Sequence, residues 1–199
     1  TVAVWVFQIL SGWLAGAQLE RLFGLVPYDV TRHLFLWQLV TYLFLHSMSV
    51  FHILFNMLAL WMLGSELEWL WGTKRFVRFY FITGTGAAIC STLVASGSTV
   101  PIIGASGAVY GLLAAYGILF PNREFLFWFL FPIKAKYLVL ILGALAFWMS
   151  VSAPGDGVAH VAHLGGMLFG WLYLRGPRGL KSPRIPFREW IERWRRERR

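Results

Sequence analysis

Four polar side chains interrupt apolar stretches of this chain, and their types are those of acyl-transfer chemistry. Ser106 stands in Gly104-Ala105-Ser106-Gly107, His163 in HLGGMLFG, and His52 and Asn56 four residues apart in HILFN. A serine hydroxyl is a weak nucleophile until a base takes its proton. Histidine, which titrates nearest neutral pH, is the usual base. The reaction also needs hydrogen-bond donors aimed at the oxyanion that develops. The His52 and Asn56 side chains, with backbone N–H groups where a helix begins at Ser106, have the required chemistry, because a helix N-terminus offers unbonded N–H groups and a positive dipole end.

Each feature alone has a plainer reading. A GxSG in a glycine-rich membrane helix is ordinarily a packing motif, and a lone intramembrane His or Asn is often one end of an interhelical hydrogen bond. Their joint occurrence favours chemistry. Residues four apart share a helix face, so His52 and Asn56 project together. Gly104 and Gly107 permit a tight turn and close packing beside Ser106. Gly107 with Gly111, and Gly166 with Gly170, give the helices bearing Ser106 and His163 small-residue faces on which they can approach.

The elements that would position these groups are membrane spans. The chain has 199 residues, 58% hydrophobic and only 14% charged, with a mean hydropathy of +0.62. Soluble domains carry about 25% charged residues, and a chain of this size has too little interior to hide so much apolar surface. The composition excludes an ordinary soluble protein, a disordered chain, a collagen and a disulfide-stapled module. Cys90 is the sole cysteine and can form no intrachain bridge. A spanning helix needs about 20 mostly apolar residues. Six candidate spans follow, at about 2–19, 51–71, 76–94, 105–120, 137–151 and 158–174. The first lacks a basic n-region and an A-x-A site, so it is expected to span rather than to be a signal peptide. Ser106, His52 and His163 each lie near the start of a span that enters from the same side, which predicts one membrane depth for all three.

The net charge is +9, and ten of the basic residues lie between Arg175 and Arg199. In so apolar a chain this balance marks the cytoplasmic side rather than a nucleic-acid surface. Lys74 and Arg75, the stretch from Arg123 to Lys136 and the tail then lie inside, as do both termini. The connection from about 20 to 50 faces outward. It carries Phe35, Trp37, Tyr42 and Phe44 with few charges, the composition of short helices lying in the interface. In the tail, Phe187, Trp190, Ile191 and Trp194 fall at i, i+3, i+4 and i+7 among basic residues, which predicts an amphipathic helix on anionic headgroups. The expected organisation is a helical membrane core over residues 1–175 followed by a basic tail, 176–199.

These motifs resemble the rhomboid family of intramembrane serine proteases. The resemblance rests on WQLVTYLFLH, HILFN, ELEWLWG, GASGAVYG and HLGGMLFG, and covers about residues 1–175. It implies an all-α integral membrane fold, a six-transmembrane-helix bundle with an interfacial first loop. It implies a Ser–His dyad, with Ser106 as nucleophile and His163 as general base. His52 and Asn56 would form the oxyanion hole with the backbone N–H groups of Ser106 and Ala105. Tyr110 matches the family tyrosine whose ring packs against the base, and Glu68 with Gly72 matches a structural ExxxG brace. The first-loop motif carries Gln38 where the family usually has arginine. Substrates would be transmembrane proteins, entering from the bilayer through a gate between the second and fifth spans, where Phe55 and Trp148 are the candidate gate residues. The compact six-span form points to a bacterial plasma membrane, with a mitochondrial or Golgi membrane as the alternatives.

Other readings are weaker. His160, three residues before His163, is an alternative base, but the HxxGxxxG register selects His163. His46 is expected to be a structural group of the first loop. No HExxH is present for a zinc protease. His46, His52, His160 and His163 lack the carboxylate or thiolate partners of ordinary metal sites. No cofactor is implied. Repeated broken helices, the mark of a transporter, are not found. The rival of another class is an inactive relative that binds membrane clients without cleaving them; such members typically lack the serine or the histidine, and this chain keeps both. No acid within a span completes a triad, and Asp156 lies in a connection.

Overall fold

The structure, a computed structural model, describes residues 1–11, 16–127, 131–152 and 157–176. The tail with Trp190 and Trp194, and Asp156, lie outside the described residues. Apolar helices stand at each position where a span is expected: α1 (Val2–Ser11), α5 (Val50–Trp71), α6 (Thr73–Val94), α7 (Ser106–Leu119), α8 (Ala135–Ser152) and α9 (Gly157–Arg175). Among the described residues, α5, α6 and α8 are long and apolar enough to cross a membrane, whereas α1 and α7 are shorter. Over the expected first span, residues 2–19, the described residues are those of α1 and the start of α2 (Gly16–Phe23), which is polar on one side and carries Glu20 and Arg21.

The interfacial first connection is helical, as its aromatic content predicts. It contains α3 (Pro27–Arg32), α4 (Gln38–Thr41) and a 3-10 turn, Tyr42–Phe44. Gln38 is fully buried, and a buried amide must be satisfied. Its Oε1 accepts the Val26 N–H at 2.9 Å and its Nε2 donates to the Arg21 carbonyl at 3.0 Å. Gln38 thus closes the loop through both ends of its amide.

One element departs from an all-α fold. Glu124–Phe127 (β1) and Phe131–Lys134 (β2) pair antiparallel, with Glu124 opposite Lys134 and Phe127 opposite Phe131. Phenylalanine and isoleucine favour strands, and Pro121 and Pro132 oppose a helix through this stretch. In the sequence Arg123, Lys134 and Lys136 at the ends of this stretch predict a charged loop, and the strand pair lies between them.

The core lies where α6, α7 and α9 meet. Leu112, Phe79, Ala108, Ala115 and Tyr116 are buried there. α7 is the central helix, with Gly107–Val109 and Gly111–Tyr116 all buried. Its 14 residues span about 21 Å, less than the roughly 30 Å of a hydrocarbon core. The segment that precedes it, up to Ala105, is sewn to the first connection: Leu25 and Ile102 exchange backbone hydrogen bonds at 2.8 and 2.9 Å, and the Gly104 N–H donates to the Tyr42 carbonyl at 3.0 Å. By contrast α8 buries only Ala135 and Ala146 and presents Leu140, Ile141, Leu145, Phe147 and Trp148 outward. A helix with so apolar an outer surface is stable in lipid and not in water. The chain is an integral membrane protein.

Candidate active site

Ser106 is the first residue of α7 and is half-buried. His163 lies in the second turn of α9, and its Nε2 is 2.9 Å from Ser106 Oγ. Two helices can bring these groups so close because neither carries side chains at the crossing. A Cβ on Gly166 would collide with the Gly107 carbonyl oxygen, and one on Gly170 would stand 2.8 Å from the Gly111 carbonyl oxygen. The Tyr110 ring lies parallel to the imidazole of His163, centroids 4.2 Å apart and planes within 3°. One helical turn separates Ser106 from Tyr110, so α7 supplies both the hydroxyl and the flat surface that fixes the plane of its partner. No described residue hydrogen-bonds His163 Nδ1, which is buried. His160 meets His163 edge-on at 5.6 Å between centroids; the ring that reaches Ser106 is that of His163.

His52 and Asn56 approach from α5. Gly104 has φ +122°, a backbone region that disfavours side chains, and a Cβ there would lie 2.9 Å from His52 Nε2. Glycine at 104 thus serves both the turn into α7 and the approach of His52. The Asn56 Nδ2 donates one hydrogen to the His52 carbonyl at 2.9 Å, leaving its second hydrogen available. Asn56 and Ser106 line the same cavity. The Ala105 N–H is directed at His46 Nε2, at 3.4 Å, whereas the Ser106 N–H, at the first position of α7, has no acceptor within its own helix.

That cavity, of about 340 Å³, opens beside Ser106 and runs between α5 and α8. Phe55, Ala59 and Met62 line one wall, Leu138 and Leu142 the other, and Phe125 of β1 the far end. Phe55 and Trp148 are both exposed, at 62% and 69%; Phe55 lines the cavity, and Trp148 stands further along α8. Among the described residues no cluster of three His, Cys, Asp or Glu side chains could hold a metal ion.

Several contacts were not foreseen. Glu68 gives its carbonyl to the Gly72 N–H at 2.7 Å, closing α5, and two residues earlier Glu66 ties α5 to α7 and to Arg123. It accepts from the Tyr116 hydroxyl and, at 3.0 Å, from Arg123. His46 is completely buried and touches the site through Ala105. Gln8 of α1 is buried against it. A single glutamine in an apolar helix carries no spacing signal, which is why the sequence did not single it out.

Comparison with known proteins agrees with this architecture. The Rhomboid domain matches residues 33–176. "Rhomboid protease GluP" of Bacillus subtilis is 34% identical over 136 residues, 68% of this chain and 25% of that protein. "Rhomboid protein 1, mitochondrial" of Saccharomyces cerevisiae is 33% identical over 127 residues, 61% of this chain and 36% of that protein. "Rhomboid protease GlpG" of Yersinia pseudotuberculosis is 25% identical over 187 residues, 86% of this chain and 57% of that protein. The chain therefore spans less than two thirds of the length of each of these relatives. With motif, geometry and similarity in agreement over most of its length, this chain belongs to the rhomboid family.

Proposed function

We propose that this chain is an intramembrane serine endopeptidase that cleaves transmembrane proteins in or near their membrane helices. The observation that carries the reading is the 2.9 Å approach of Ser106 Oγ to His163 Nε2, with the imidazole plane fixed by Tyr110. In the proposed reaction Ser106 Oγ attacks the peptide carbonyl carbon as its proton passes to His163 Nε2. The negative oxygen is held by His52, the second Asn56 hydrogen and the Ser106 N–H. The tetrahedral adduct then collapses, the C–N bond breaks, and His163 delivers the proton to the departing amine. Water, deprotonated by the same imidazole, attacks the acyl carbon; the C–Oγ bond breaks, His163 returns the proton to Ser106, and the new carboxyl terminus leaves. The Ala105 N–H, held by His46, orients the peptide that leads into Ser106.

A regular substrate helix hides its carbonyls in hydrogen bonds, so it must unwind locally to react. Substrates are expected to carry Gly, Pro or small residues near the outer membrane face. The positive charge of the loops supports a topology with both termini inside, which an even number of spans would satisfy.

Fluorophosphonate labelling of the folded chain in detergent tests the dyad. Wild type is expected to label and Ser106→Ala to lose labelling entirely. His163→Ala should fall about 10²- to 10⁴-fold, the scale of a general base's contribution, and Asn56→Ala about 10²- to 10³-fold, the scale of one oxyanion donor. Folded wild type that fails to label would overturn the reading in favour of a client-binding relative. Labelling that survives His163→Ala but not His160→Ala would move the base.

A further inference from the structure

The dipeptide His46-Ser47 touches both donor-bearing segments beside Ser106, and α1 grips it from behind. The Gln8 side chain pairs with the peptide of His46 at both ends: its Oε1 accepts the His46 N–H at 3.1 Å, and its Nε2 donates to the His46 carbonyl at 3.2 Å. Trp5, one turn earlier, donates its indole N–H to the Ser47 carbonyl at 2.9 Å. Gln8 is 1% exposed, and both ends of its amide are spent on the backbone of this one residue. In a buried site the alternative to each bond is an unsatisfied polar group, which is costly.

From that peptide two contacts run to the site. His46 Nε2 accepts the N–H of Ala105, the residue before the serine. An N–H can only donate, so this nitrogen is unprotonated and the His46 proton sits on Nδ1. Ser47 holds His52. Its backbone N–H donates to His52 Nδ1 at 3.3 Å, and its Oγ stands 2.9 Å from the same nitrogen. His52 Nδ1 is therefore an acceptor, and the His52 proton lies on Nε2, the nitrogen that faces Gly104 at the mouth of the site. A histidine with the opposite tautomer would present a lone pair there and repel a developing oxyanion.

We propose that Gln8 is a positioning residue for the Ser106 site: through the His46-Ser47 peptide it fixes the Ala105 N–H and sets His52 as a donor at Nε2. The inference rests on the protease reading for its catalytic consequence, and on hydrogen-bond geometry alone for its structural one. It also gives α1, which lies outside the matched Rhomboid domain, a part in the site.

The test uses the full chain in detergent micelles, with Gln8→Leu and, as a control on an outward position of the same helix, Leu10→Ala. Two readouts are taken: the concentration dependence of fluorophosphonate labelling, and nitrogen NMR of the histidine rings and of the Ala105 amide. For Gln8→Leu the maximal labelling rate is expected to fall about 10- to 100-fold, the cost of a small misplacement of reacting groups, while the half-saturating probe concentration holds. The Ala105 amide and His52 ring resonances are expected to shift. Leu10→Ala should change neither. Should Gln8→Leu fail to fold, Gln8→Met, closer in length and equally unable to form either bond, takes its place. A folded Gln8 variant with the wild-type maximal rate and unmoved resonances overturns the proposal and leaves the dyad standing. A wild type that folds but never labels overturns the dyad reading instead, and the resonances alone then decide the role of Gln8.

Discussion

His46 is the residue where local chemistry and stability meet. It sits outside the spans, between the 3-10 turn and α5, and it is buried without a charged partner. Burial, and next the positive charge that His52 can carry, push its imidazole down to about 4 from the ordinary value near 6.5. The folded state thus holds His46 neutral over a range in which the unfolded chain protonates it. Between about pH 6.5 and 4 the unfolded state binds more protons, so stability rises with pH through that window and is lost as pH falls. Thermal unfolding in detergent is expected to drop on acidification across this range. His46→Gln, which has no titrating group, should show a shallower decline than wild type; an identical slope would remove His46 from the account. The sequence revealed Ser106, His163, His52 and Asn56 because each is embedded in a spaced motif. It did not reveal Gln8 or Glu66, since their partners lie far away in the chain and no local periodicity encodes them.

At the scale of elements, the α7–α9 crossing sets the distance between nucleophile and base. It is built from glycines, and the Cα–H surfaces touch where any other residue would place a methyl group. Gly166→Ala is expected to force the helices apart, costing about 1–3 kcal/mol, the range for overpacking, and to lower labelling of Ser106 more than it lowers the fraction folded. Gly143 on α8 supplies the contrast, because a Cβ there meets only the end of the flexible Met167 side chain, at 3.2 Å. Equal loss of labelling in Gly143→Ala and Gly166→Ala, each measured beside its unfolding curve, would refute the crossing as the determinant. Helices α5 to α9 were legible within a few residues because long apolar runs leave little freedom for their ends. The strand pair at 124–134 was not, because a short aromatic run has no clear period, and pairing across a turn is decided by tertiary context.

For the molecule as a whole, the uneven packing of its helices has a functional consequence. α6, α7 and α9 form a tight core around Ser106 and His163, whereas α8 buries two alanines and leans on its neighbours with little of its surface. The apolar cavity lies between this weakly held helix and α5, directly beside the serine. A lateral opening here would admit a substrate helix from lipid while the core and the dyad stay fixed, since a helix that buries little of its own surface is the easier one to displace. Phe55 on α5, which lines the cavity, and Trp148, further along α8, are large, exposed side chains. Truncating both is expected to ease entry of a membrane-embedded substrate and to leave the chemistry alone. Phe55→Ala with Trp148→Ala should therefore raise the initial rate of cleavage of a transmembrane substrate in liposomes several-fold, on the scale set by loosening a gating step. Labelling by a small fluorophosphonate that reaches Ser106 through water should stay at the wild-type rate. The comparison separates entry from catalysis: cleavage unchanged in the double variant would mean that the substrate does not pass between these side chains, and a parallel fall in labelling would mean that Phe55 supports the site rather than guards it.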